Sequence, residues 1–144
     1  MIARLLPGLP PYGGDVQSFQ QPNAFREGLV VEFRPAGQAP WIGNFAKGSH
    51  GPRLIDAAFG DRAILVVADG DLYLVDAVRR CVTWDLSWVR EVRFEADLGL
   101  FILIDDCEIT ALGPSGVTWT SRRIGLGRPC RDQARGDASA RAGR

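Results

Sequence analysis

Two short acidic clusters are the residues in this chain most able to do chemistry. Asp69-Gly70-Asp71 and Asp105-Asp106-Cys107-Glu108 each place carboxylates within three residues of one another. Carboxylates so spaced can hold a hard cation or split into an acid and a base. An EF-hand loop, however, alternates oxygen ligands over about twelve residues, and here Leu72, Tyr73 and Leu74 follow Asp71 at once. Asp-Gly between two apolar segments is instead a strong signal for a tight hairpin. Asp69, Asp71, Asp105, Asp106 and Glu108 are therefore expected along one solvated edge, where they could meet a cation or a basic partner.

The remaining reactive residues are few. His50 is the single histidine and lies in the loop Lys47-Gly-Ser-His-Gly-Pro52. Ser49 is beside it, but no Gly-x-Ser-x-Gly elbow surrounds a serine, and no Gly-rich stretch carries the Lys-Ser/Thr of a phosphate loop. Cys81, Cys107 and Cys130 are odd in number and lack CxxC spacing, so neither a zinc site nor a disulfide framework is expected. No catalytic, cofactor-binding or metal-binding residue is assigned. Trp41, Trp84, Trp88 and Trp119 could form a stacking platform. Three of them recur at corresponding places, which points to packing between sheets. Trp88 falls outside that pattern and is expected to be exposed.

Composition narrows the partners. Lys+Arg and Asp+Glu number 17 each, which gives no global field toward nucleic acid. Arg79-Arg80 and Arg122-Arg123 are read as solvated charge. No stretch approaches the ~20 apolar residues that span a bilayer, and Pro7, Gly8 and Pro10 break up any leader-like run. A cytoplasmic location is expected. Lys47 is the one lysine against 16 arginines, a usage that suggests a GC-rich bacterial genome.

The elements that must position these residues are strands. Residues 1–27, with four prolines, read as an extended arm laid over the core by Tyr12, Phe19 and Phe25. Apolar, β-branched segments then follow at 29–33, 41–45, 54–59, 63–68, 72–76, 81–85, 88–95, 100–104, 109–112 and 117–121. Gly60-Asp61, Asp69-Gly70, Leu98-Gly99 and Ser115-Gly116 punctuate them. No long window has a 3.6-residue period, so helix content should be low. The expected fold is all-β, built of antiparallel meanders.

The pattern recurs. Phe59 and Phe94, and likewise Trp84 and Trp119, lie 35 residues apart. Ile64–Val67 aligns with Phe101–Ile104, and Leu72–Asp76 with Ile109–Gly113. Leu29–Phe45 reads as the last two strands of an earlier unit, with Trp41 in the place of Trp84 and Trp119. Over residues 29–121 these units of four strands ending in Trp resemble the blades of WD-repeat and quinoprotein-type β-propellers. Gly28–Phe45 and Val89–Ile124 are also similar to uncharacterised bacterial proteins of GC-rich genomes. About two and a half units cannot close a ring. The sheets are expected to pack face to face or wrap into a barrel, to assemble with copies of the chain, or to be part of something larger.

Residues 127–144 contain no Val, Ile, Leu, Phe, Tyr or Trp and carry five Arg against two Asp. They are expected to be a disordered basic tail, of ordinary origin or from a shifted reading frame. The functional expectation is a non-enzymatic protein-binding module of immunity or regulatory type, with self-association left open. The alternatives are a hydrolase or lyase using the acidic turns, or a truncated chain with no function of its own.

Overall fold

The computed structural model describes residues 2–11, 15–19 and 27–121. Among them are twelve strands and no helix. The strands are β1 Ala3–Leu6, β2 Val16–Phe19, β3 Leu29–Phe33, β4 Trp41–Phe45, β5 Leu54–Asp56, β6 Ile64–Ala68, β7 Asp71–Asp76, β8 Cys81–Leu86, β9 Glu91–Glu95, β10 Leu100–Ile104, β11 Ile109–Gly113 and β12 Gly116–Thr120. They form three four-stranded sheets, none closed into a barrel. The second and third are antiparallel meanders in chain order, β5-β6-β7-β8 and β9-β10-β11-β12. No helix of the described residues is long and apolar enough to cross a membrane.

The first sheet is built differently, with order β1-β3-β4-β2. The half unit read at Leu29–Phe45 is its central pair. Its two edges come from the proline-rich arm: β1 pairs antiparallel with β3, and β2 runs parallel to β4. Trp41 therefore stands on an inner strand, opposite Phe33. This corrects the placement of Trp41 with Trp84 and Trp119, which lie on β8 and β12 at the edges of their sheets. Tyr12, Phe25 and the tail 127–144 lie outside the described residues. Phe19 does meet the core, stacking on Phe45 at 4.9 Å between ring centroids.

The second sheet is the middle layer. Ile64, Val66, Ala68, Tyr73 and Val75 turn to one side and pack with Leu29, Val31, Phe33, Trp41 and Phe45 of the first sheet. Leu65, Val67, Leu72 and Leu74 turn to the other and pack with Phe101, Leu103 and Leu112 of the third. This explains why Ile64–Ala68 is apolar at every position rather than alternating: a strand covered on both faces has no solvent side. β9, by contrast, alternates Glu91, Val92, Arg93, Phe94, Glu95, and Val92 packs against the second cluster.

Polar ties to buried side chains cross the first interface. Trp41 Nε1 donates to the Ala77 carbonyl at 2.9 Å, fully buried, and the Tyr73 hydroxyl donates to the Ala46 carbonyl at 2.7 Å. Burial, and then the nearby Asp71 and Asp85 carboxylates, push the Tyr73 hydroxyl well above its ordinary value of 10.0. Arg80 adds a further tie: it is ion-paired to Asp15 and lies 5.7 Å over the Trp41 ring.

Trp41→Phe keeps the ring stack but strands the Ala77 carbonyl. It should lower stability by about 1–3 kcal/mol, read from the thermal or urea midpoint. Because the folded state holds the Tyr73 hydroxyl neutral, its contribution is present below pH 10 and is lost as the pH rises further. Tyr73→Phe should therefore flatten the loss of stability above pH 10, measured by denaturant titration across that range.

Candidate functional site

The first acidic cluster forms the β6–β7 turn, where backbone packs directly on backbone. Asp69 and Gly70 both take positive φ, +51° and +97°, as a two-residue hairpin of this twist requires. Both connectors between sheets run against this turn. Gly48 N donates to Ala68 O at 2.9 Å, Gly70 N to Pro52 O at 3.0 Å, and Val89 N to Gly70 O at 2.8 Å. A Cβ at Gly70 would overlap the His50 carbonyl oxygen, and one at Gly51 would sit 2.5 Å from Gly70 Cα. These glycines are needed because backbone meets backbone there.

Each acidic turn is clamped by the arginine that precedes the first strand of its sheet. Arg53 Nε and Nη2 donate to the two oxygens of Asp69 at 2.9 and 3.0 Å. Arg90 Nε reaches Asp106 Oδ1 at 2.7 Å. The partners are sixteen residues apart in both pairs. Hydrogen bonds from Arg53 are the main cause of an Asp69 carboxyl held below its usual range, with the Arg53 and Lys47 charges adding to it. Asp105 Oδ1 accepts from the backbone N–H groups of Cys107 and Glu108, at 2.7 and 2.9 Å, and so shapes its own turn. Consecutive residues Val89 and Arg90 bond to Gly70 and Ile104, which puts the two acidic turns side by side at one end of the stack. Asp71 lies beside the 48–50 loop.

A shallow pocket of about 150 Å³ opens at this end, lined in part by Ser49, His50, Asp71, Ser87 and Trp88. Trp88 is 47% exposed and holds φ at +66°, unusual for so bulky a residue. Its neighbour explains this: Val89 is buried in the second cluster with its N–H fixed on Gly70, so the chain turns at Trp88. The segment 88–95 is accordingly a strand only from Glu91. No group of three or more potential metal ligands occurs among the described residues. Cys81 is a free thiol and Cys107 is disulfide-bonded, which the odd number and spacing of the cysteines did not lead one to expect.

The tryptophans separate into two settings. Trp84 pairs with Leu74 and Trp119 with Ala111, each beside a register shift. The preceding threonines match as well: Thr83 Oγ1 donates to Leu74 O and Thr118 Oγ1 to Ala111 O. Their interval of 35 is shorter than that between the arginine clamps, because β11–β12 closes through Pro114 and Ser115 whereas β7–β8 closes through Ala77–Arg80. Yet Trp84 packs against the second cluster, whereas Trp119 is 55% exposed. Core packing was the expectation for both, and for Trp119 the structure overturns it. Trp84 is covered by the third sheet. Trp119 is on the opposite side of that sheet, on a face that joins neither core cluster.

That face was not foreseen from the sequence. Across it run Arg93, Ile102, Ala111 and Trp119 in one register row, with Glu91, Ile104 and Ile109 in the next. The available signal was the polar half of the β9 alternation, set against Leu54-Ile55 at the start of β5. Compared with known proteins, the chain matches no family model, no curated protein and no solved structure.

Arg53→Gln should release Asp69 toward its ordinary value, visible in a carboxylate NMR titration. Because a lowered folded pKa stabilises above the unfolded value and is lost as pH falls through the folded one, the variant should lose less stability on acidification below about pH 5 than the parent. At neutral pH the pair is half exposed, and its removal should change stability by no more than about 1 kcal/mol.

Proposed function

We propose that the chain is a protein-interaction module that binds through the open face of its third sheet. The observation that carries this reading is the contrast between two matched tryptophans. Trp84 is covered by a following sheet, and Trp119, in the corresponding register, is 55% exposed. A face that runs from Trp119 on one edge strand across Ile102, Ile104 and Ile109 to Glu91 and Arg93 on the other has the composition of a binding surface, apolar side chains bordered by charge. The matched clamps and tryptophans also support reading the second and third sheets as copies of one blade-like unit, whose natural neighbour is a further sheet.

The reading that makes the acidic turns catalytic has less support. A general acid needs a carboxyl held above its usual range, whereas Arg53 holds Asp69 below it. Asp106 is engaged by Arg90, and Asp105 is engaged by its own turn.

The test is a photo-crosslinking amino acid placed at Trp119 and, as a control, at Ile42 on the outward face of the first sheet. Irradiation in cells, followed by mass spectrometry and reconstitution with the purified partner, should give an adduct from position 119 alone. No adduct at 119, or equal yields at both positions, would refute the reading.

A further inference from the structure

We propose that the occupant of this open face is a second copy of the chain, which packs its own third sheet against it about a twofold axis parallel to the strands. This rests on the interaction reading above and names its partner.

The order of residues across the face selects a second copy. The row Arg93–Ile102–Ala111–Trp119 runs from the β9 edge to the β12 edge. A twofold axis along the strands reverses the strand order, so β9 of one copy lies over β12 of the other. Read against its own reverse, the row is self-complementary. Arg93 falls over the Trp119 ring of the second copy, a cation on an aromatic face. Ile102 falls over Ala111, large on small, which is how stacked sheets interdigitate. In the neighbouring row, Ile104 meets Ile109. Arg93 is already oriented by an ion pair with Glu91 on the same strand.

The same face type is covered twice inside the molecule, where a four-stranded sheet packs on each side of the second sheet. A second copy continues that stack. Read in reverse, the outward row of the first sheet, Arg4–Glu32–Ile42–Val16, sets charges on aliphatic side chains and does not match itself. The outward side of the first sheet carries Arg4 and Arg34 bonded to Glu32, and Asn44 accepting from Gly28 N. Hydrogen bonds from Arg4 and then Arg34 hold the Glu32 carboxyl below its usual range. With one self-complementary face, the assembly closes as a dimer and does not extend into a filament.

Sedimentation equilibrium of the full chain over roughly 1–100 μM should show the mass rising from 15.7 kDa toward twice that value. Trp119→Ala should weaken association by at least about tenfold, and Arg93→Glu should weaken it as well. Trp88→Ala, a control at the exposed aromatic of the other site, should leave association unchanged. Circular dichroism should show all three variants folded, since Trp119, Arg93 and Trp88 are exposed in the single chain. A single 15.7 kDa species throughout, or a dimer equally tight in Trp119→Ala, overturns the proposal. The position-119 probe separates the two claims. A monomer whose probe captures a different protein overturns the second copy and leaves the interaction reading standing. A monomer whose probe captures nothing, or only residues 122–144 of its own chain, overturns both.

Discussion

The hairpin formed by Ile64–Ala68 and Asp71–Asp76 presents apolar side chains on both of its faces, and neither face is stable in water. That requirement organises the molecule. One face is covered by aromatic residues of the first sheet, Phe33, Trp41 and Phe45, and the other by Phe101, Leu103 and Leu112 of the third. The outer sheets face a neighbour on one side only, and their outward strands can afford charge.

The connectors show how the layers are held in order. Both links between sheets cross the Asp69-Gly70 turn through backbone hydrogen bonds, and glycine is used where two backbones touch. The acidic residues that look most reactive in the sequence are used largely for this purpose. Asp69 and Asp106 receive arginines that lead into β5 and β9, and Asp105 caps its own turn. Trp119, in contrast, stays more than half exposed on the face of the third sheet that joins neither core cluster.

Much of this was legible in the residues. The all-β class, ten of the strands and the tight turns follow from apolar β-branched runs punctuated by Asp-Gly and Gly. β1 and β2 were not legible as sheet edges, because their pairing is non-local and the arm is rich in proline. Ala3–Leu6 pairs across the arm with Val30–Phe33, and Val16–Phe19 joins β4 in parallel. Trp41 was misplaced for the same reason, since its strand is an edge only if the arm contributes nothing. Trp119 reads in sequence just like Trp84; its exposure depends on which sheet lies opposite, and spacing does not encode that. The alternation in β9 did carry the information, since a strand with charge at every second position has one face in water.

The central claim is that the second sheet is the buried middle layer. Native-state hydrogen exchange tests it most directly. Amides of Ile64–Ala68 and Leu72–Val75 should be the slowest in the molecule, exchanging only with global unfolding, while those of the outer strands β9 and β12 exchange through smaller openings. Protection in β6 and β7 equal to or below that of β9 and β12 would contradict a three-layer stack with this hairpin at its centre.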